Sequence, residues 1–311
     1  ELEVMEGSAR VMKQLMLCTG RRSPLCRRGR RTLSMSEDPF GHEGQAESYA
    51  VYRPKYTGEI FERIFQFVDS GKAGRGTAVD VGTGSGQVAV PLREALRFDS
   101  VIGVDRSAEQ LSHAQKAGGV EYIAGDAYRL PVGDETASLL TIAQTMHWLN
   151  LPLFFEEVNR VLVPGGTFAV LGYAIPQLSC TPAIEQSFRR YYEDTLGSLL
   201  PPGVPGSYWD CDRTILDSGF RDVDFEATFT DVARVWFNDQ REVSLDAHIS
   251  YLTTMSAYRT YLSRNDLTMG EEGDPLLAFK ADANEQMELS GRNVLQVTYP
   301  YFLILSRKNS R

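Results

Sequence analysis

The sequence predicts an α/β fold, doubly wound around a parallel sheet. Three features point to it: short β-branched runs alternate with helical runs between residues 57 and 172, no internal repeat interrupts them, and a glycine-rich turn, Gly82-Thr83-Gly84-Ser85-Gly86, joins the first strand run to the next helix run. The first helix is expected over Ile60–Val68, where Ile60, Phe61, Ile64, Phe65 and Val68 share one face. After the turn-rich stretch 71–76, Thr77–Val81 reads as a strand and Gln87–Leu96 as a helix. Ser100–Val104 is a strand, and Ser107–Ala117 a helix whose N-cap is Ser107 with Gln110 three residues on. Val120–Ile123 and Ala137–Ile142 are strands, Leu151–Leu162 is a helix stopped by Pro164-Gly165-Gly166, and Thr167–Leu171 is a strand. Prolines then break the rhythm over 173–210. Arg213–Ser218 looks helical, Asp222–Phe229 alternates like a strand, 231–292 reads as helical and polar, and Val294–Leu305 closes the chain as a strand. The expectation is one domain over 37–311, with its core in 57–172, 211–230 and 293–307, and with cap insertions at 173–210 and 231–292.

Composition supports a chain able to bury a sizeable core: 311 residues, 42% hydrophobic and 23% charged. No run of apolar residues is long enough for a membrane-spanning helix. Cys18, Cys26, Cys180 and Cys211 form no CxxC pair and no metal-ligand spacing, so a reduced protein without a metal site is expected. The net charge is -9, unevenly placed: residues 1–36 carry +5 and the rest -14. An acidic body is a poor match for a phosphate backbone, which argues against a nucleic-acid partner.

The basic segment 1–36 is Arg-rich, with an apolar patch at Val11, Met12, Leu15, Met16 and Leu17. It reads as an organellar transit peptide, as an unstructured tail, or as sequence upstream of a start at Met35. Localisation is accordingly expected to be cytoplasmic, or organellar if the leader targets.

The glycine turn carries the strongest functional signal. Glycines between a strand and a helix let the backbone turn tightly and approach a ligand. The spacing is GxGxG, and Gln87 stands where the dinucleotide fingerprint needs its third glycine, which disfavours a nicotinamide dehydrogenase. Acids follow in series at strand ends: Asp80, Asp105 and Asp126. A carboxylate ending the second strand accepts from both hydroxyls of a ribose, and open α/β sheets bind ligands outside the carboxyl ends of their strands. A nucleoside site fits this series better than three independent helix caps.

These residues resemble the class I S-adenosylmethionine-dependent methyltransferases. Ala78 to Gly86 resembles their first motif, Val104-Asp105 their ribose acid, Gly125-Asp126-Ala127 their adenine contact, and Leu162 to Phe168 the motif leading into their fifth strand. The resemblance implies a Rossmann-like seven-stranded sheet with an antiparallel last strand and helices on both faces, with Phe225 and Tyr299 on strands six and seven. A narrower resemblance, to the trans-aconitate methyltransferase-like branch, rests on Tyr49, Tyr52-Arg53-Pro54, the Gln144–Trp148 segment and Met255–Tyr258.

By this resemblance Asp80, Gly82, Thr83, Gly84 and Gly86 line the methionine and ribose side of the cofactor. Asp105 holds the ribose, with Arg106 beside it. Asp126 and Ala127 meet the adenine, and Gln144 faces the methyl-transfer zone. Arg53 is expected to pair with the cofactor's carboxylate, since guanidinium recognises carboxylate bidentately. His147 is the candidate base or acceptor-orienting group, against the plainer reading of a packed, backbone-bonded histidine. Tyr49, Tyr52, Trp148, Trp209, Tyr251, Tyr258, Arg259 and Tyr299 are candidates for the acceptor pocket, each equally readable as core.

The expected activity is methyl transfer from S-adenosylmethionine to a small molecule, at an oxygen of a carboxylate or hydroxyl. A quinone-biosynthesis-type carbon methyltransferase and a noncatalytic cofactor-fold module are the alternatives. The expected partner is a small methyl acceptor, with oligomeric state left open.

Overall fold

The computed structural model describes residues 52–310, and the basic leader and Tyr49 lie outside them. Helix α1 (Gly58–Asp69) turns Ile60, Phe61, Ile64 and Val68 inward, as its periodicity requires. It is followed by β1 (Thr77–Val81), α2 (Ala89–Glu94), β2 (Ser100–Asp105), α3 (Ala108–Ser112), β3 (Val120–Ala124) and β4 (Ala137–Ala143). A 3₁₀ turn (Met146–Trp148) leads to α4 (Leu151–Val161), β5 (Leu162–Tyr173) and the short β6 (Gln177–Leu178). Then come α5 (Pro182–Arg189), a π-helical turn (Arg190–Thr195), α6 (Arg213–Asp217), β7 (Phe229–Val243), α7 (Leu245–Leu252), α8 (Ser256–Arg264), α9 (Pro275–Ser290) and β8 (Leu295–Lys308).

The strands form one sheet in the order β3-β2-β1-β4-β5-β8, with β6 and β7 also on β8. Strands β1 to β5 are parallel, and β8 runs antiparallel to β5, β6 and β7. β7 pairs along β8 from Leu295 to Lys308, while β5 pairs with Tyr301–Arg307 and β6 with Val297 and Thr298. A strand has two edges, so β5 and β6 must share the one that β7 leaves. β6 therefore prolongs β5 after a break, and the expected seven-stranded sheet with its reversed final strand is present, with one strand interrupted.

Alternate residues of a strand face opposite sides. Ala78 and Leu139 join one core with Ile60, Ile64 and Leu92 beneath α1, α2 and the cap. Val79 and Leu140 join the other, with Phe154 and Phe155 of α4 and Leu216 of α6. Phe168 sits edge-on to Phe154 and Phe155 in this second core, with ring centroids 6.0 and 6.1 Å away. Burying such side chains stabilises by roughly 1.5–3 kcal/mol each.

Three expectations fail. Residues 222–228 form a turn, not strand six: the Asp224 carboxylate accepts the Ala227 N–H at 3.0 Å, and successive backbone bonds over 220–229 close on themselves. Such local bonds compete with a ladder. Phe225 is buried in the second core, off any strand. Strand six is instead Phe229–Val243, so 231–292 is not helical throughout and the helical cap starts only at Leu245. This strand is exposed on one side and charged, as sheet edges often are, which hid its pattern. Helix α3 ends at Ser112 rather than Ala117, because the Gln115 N–H is taken by the Ser85 carbonyl at 3.0 Å. Among the described residues no helix is long and apolar enough to cross a membrane.

Candidate functional site

The glycine turn is bolted to the end of β2. The N–H groups of Gly82 and Thr83 both donate to the Val104 carbonyl, at 2.8 and 3.1 Å. Asp105 holds the turn with its side chain: Oδ2 accepts the Gly84 N–H and Oδ1 the Ser107 N–H, each at 2.9 Å. Gly82, Gly84 and Gly86 all have positive φ, at 66°, 51° and 82°. A Cβ on Gly82 would collide with the Thr145 side chain, whereas one on Gly84 would meet only Gln110 Oε1, at 3.7 Å. The turn is thus tight underneath and open above, a cradle for a ligand. Residues that fit an adenosine-bearing cofactor surround it: a strand-end carboxylate for ribose hydroxyls and an acidic turn one strand further on.

Asp126 is exposed in that turn and accepts the Tyr128 N–H at 2.9 Å, with Ala127 packed behind it. The turn is stapled to α4. Glu157 Oε1 accepts the Leu130 N–H at 2.6 Å, and Arg160 donates to the carbonyls of Leu130 and Val132 while pairing with Glu157. Arg106 is exposed beside Asp105.

Asp80 departs from its expected place. It is 1% exposed, its Oδ1 accepts the Thr141 hydroxyl at 2.7 Å, and it props the turn from below. Burial raises its pKa from 3.8 to about 6, against the lowering pull of the Thr141 and Thr83 hydroxyls. The unfolded chain therefore gives up this proton before the folded one. The group contributes stability fully below pH about 4, and the contribution is lost as pH rises through about 6, a swing of about 3 kcal/mol. Replacing Asp80 by Asn should remove that swing: the variant's stability relative to the parent should improve by up to about 3 kcal/mol between about pH 4 and pH 8, measured by urea unfolding.

A second group of side chains gathers where β4 and β5 end. Gln144 adopts φ 51°, a left-handed conformation unusual for a side chain with a Cβ. Its N–H donates to the Leu171 carbonyl and its Nε2 to the Tyr173 carbonyl at 2.9 Å, tying the two strand ends together. His147 stands on the 3₁₀ turn, its ring 5.3 Å from that of Trp148. Its pKa is held well below 6.5, first by burial and then by the guanidinium charges of Arg213 and Arg53. Arg53 donates to the Thr254 carbonyl at 2.8 Å and the Tyr173 hydroxyl at 3.3 Å, and lies 5.5 Å from the Tyr251 ring, which packs on Tyr299. Arg213 is buried, bonded to the Tyr192 hydroxyl and paired with Asp217 at 3.0 Å, and it lies 5.4 Å from the Trp209 ring.

The structure thus brings together Arg53, Gln144, His147, Trp148, Trp209, Tyr251 and Tyr299 around this end of the sheet. It does not do so for three other candidates. Tyr52 is 42% exposed. Tyr258 is buried with its hydroxyl donated to Asp274 at 2.8 Å, bracing the start of α9. Arg259 donates to the Thr253 carbonyl, fastening α8 to the turn before it. Sequence reasoning missed Arg213, Asp217 and Tyr192. The four-residue spacing of Arg213 and Asp217 marks a helical pair, but their burial under Tyr192 comes from a contact 21 residues away in the chain.

Residues 79–170 match the methyltransferase domain family. A protein of Dictyostelium discoideum named as a methyltransferase is 28% identical over 274 residues, 88% of this chain and 95% of that one. The chain is a class I S-adenosylmethionine-dependent methyltransferase. A solved structure described as a type II methyltransferase from Anaeromyxobacter dehalogenans is similar to it with a TM-score of 0.65 at 26% identity, covering 84% of this methyltransferase and all of that chain. A demethylmenaquinone methyltransferase of Deinococcus radiodurans is 28% identical over 233 residues, 64% of this chain and 94% of its own. S-adenosylmethionine is the cofactor of this methyltransferase, and the open turn at 82–86 with its strand-end acids fits it.

Proposed function

We propose that the enzyme methylates a carboxylate oxygen of a small anionic acceptor, held where β4 and β5 end. The observation that carries this reading is the placing of a neutral histidine, His147, under the influence of two guanidiniums, Arg53 and Arg213. Guanidinium donors there favour an anion, with Arg213 already sharing its charge with Asp217. Their charge also makes His147 a reluctant proton acceptor, so an acceptor that already carries its negative charge suits the site better than a hydroxyl that must lose a proton. His147 then orients the acceptor, and Gln144, fixed by Tyr173, sets the floor between the two ligands.

On the cofactor side, Asp105 takes the ribose hydroxyls while holding the turn, Asp126 and Ala127 meet the adenine, and Gly82 to Gly86 carry the methionine portion. Asp80 supports this turn from beneath. The cofactor supplies a methyl group on a positively charged sulfur, already activated for displacement. What remains for the protein is to align acceptor and methyl and exclude water. The trans-aconitate-like resemblance of the sequence agrees with a carboxylate acceptor. The likeness to a demethylmenaquinone methyltransferase favours a second reading, carbon methylation of a quinone precursor.

Incubation with methyl-labelled donor and a library of small acids tests the choice. The expected product releases its label in mild base, as an ester does, and label on a base-stable carbon would overturn the proposal. With the acceptor in hand, His147→Gln is expected to lower kcat by about tenfold or less, with no acid limb near pH 6 in parent or variant. A loss of about a thousandfold accompanied by disappearance of such a limb would instead make His147 a general base.

A further inference from the structure

The cap carries a row of rings that begins and ends at the two guanidiniums. Arg213 lies 5.4 Å from Trp209, whose ring is 5.6 Å from Tyr192. Tyr192 stacks on Phe188 at 6.2 Å, Phe188 lies 5.7 Å from His248, His248 5.9 Å from Tyr251, and Tyr251 5.5 Å from Arg53. The π-helical turn contributes to this row. In an α-helix consecutive side chains diverge by about 100°, yet here Tyr191 and Tyr192 are both buried, at 3% and 5% exposure. π-turns are rare and occur often at functional sites.

Buried polar atoms on two of these rings, and on Tyr191 whose ring lies 6.5 Å from Phe188, lack hydrogen-bond partners among the described residues: Trp209 Nε1, both nitrogens of His248 and Tyr191 Oη. Each would cost roughly 1–3 kcal/mol if nothing met it, and native folds tolerate few. Aromatic faces, polar ring edges and flanking positive charge together recognise a flat molecule with oxygens on its rim.

We infer that the acceptor is a ring-bearing carboxylate, its ring received against Trp209, Tyr192 and Tyr191 and its carboxylate near Arg213. This rests on the reading of the β4 end as the site of an anionic acceptor, and makes the cap the element that selects among acids. Arg213 acts there with its Nε and Nη2 committed to Asp217, which is itself held by the Ile175 N–H and the Tyr192 hydroxyl. The guanidinium is therefore fixed in position.

Calorimetry on the full chain saturated with S-adenosylhomocysteine tests this with two probes of similar length, trans-cinnamate and hexanoate. Cinnamate should bind about tenfold tighter or more, the effect of one to two good ring contacts. Trp209→Leu should bring the ratio below about threefold, and Trp209→Phe, which keeps a ring and loses the N–H, should weaken cinnamate by about fivefold while preserving the preference. A melting transition and homocysteine-product binding like the parent's establish that each variant is folded. Should both acids bind with a ratio near one, or should cinnamate bind equally to the parent and to every folded Trp209 variant, the ring inference falls and the anionic reading stands. Should neither bind at millimolar concentration, both fall.

Discussion

Asp105→Ala should reduce affinity for S-adenosylhomocysteine by more than about a hundredfold, the largest effect expected of any single side chain on the cofactor side. Two losses combine. The carboxylate offers about four lone-pair sites, so holding two backbone N–H groups is compatible with accepting ribose hydroxyls as well. Hydrogen bonds to a charged group contribute about 1.5–3 kcal/mol each, and losing two of them gives at least about 3 kcal/mol, or more than a hundredfold. The same substitution also releases the Gly84 and Ser107 N–H groups, so the turn loses its side-chain fastening and keeps only the backbone bonds to Val104. Asp105→Asn separates the two contributions, since its oxygen still accepts one backbone N–H. It should bind about tenfold worse than the parent and clearly better than Asp105→Ala. Equal binding by the parent and Asp105→Ala, measured calorimetrically, would remove Asp105 from the cofactor site.

Gly82→Ala is the second large effect. Positive φ costs a residue with a Cβ about 1–2 kcal/mol, and here the added methyl also runs into Thr145. Thr145 follows Gln144 directly, and its hydroxyl is bonded to the Ala143 carbonyl at 3.0 Å, so it cannot swing away without breaking that bond. Overpacking of this kind typically costs a further 1–3 kcal/mol or so. The variant should lose about 2–5 kcal/mol of stability and bind cofactor product about a hundredfold more weakly, because its turn can no longer lie between β2 and Thr145. Adding Thr145→Ala should return the overpacking part and leave the backbone strain. A double variant no better than Gly82→Ala would show that the collision is not the cause.

These two residues mark how far the sequence reached. Gly82 and Asp105 stand in a local pattern, glycines after a strand and an acid at the end of the next, and local geometry ties each to its neighbours in the turn. The parallel sheet followed from such patterns, and the reversed last strand from the family resemblance that they carry. They were legible because a tight turn, a strand end and a helix face each impose residue types at short spacing. Asp80 was legible as a member of the series but not in its role, since only the packing of β4 beside β1 puts Thr141 against it and buries it.

The acceptor side lay beyond local pattern. His147 and Trp209 were readable as candidates, but what surrounds them comes from four separate stretches of chain, around residues 53, 147, 191–213 and 251. Strand Phe229–Val243 was hidden for a related reason: at the sheet's edge its partner β8, not its own hydrophobic rhythm, decides its conformation. By itself the sequence determined the parallel sheet, the cofactor turn and the class of chemistry, because those rest on residue types that each strand end, tight turn and helix face imposes at short spacing. Only the tertiary structure decided which side chains gather where β4 and β5 end and with what charge, because burial and the meeting of distant guanidiniums are properties of the packed chain and have no period along it.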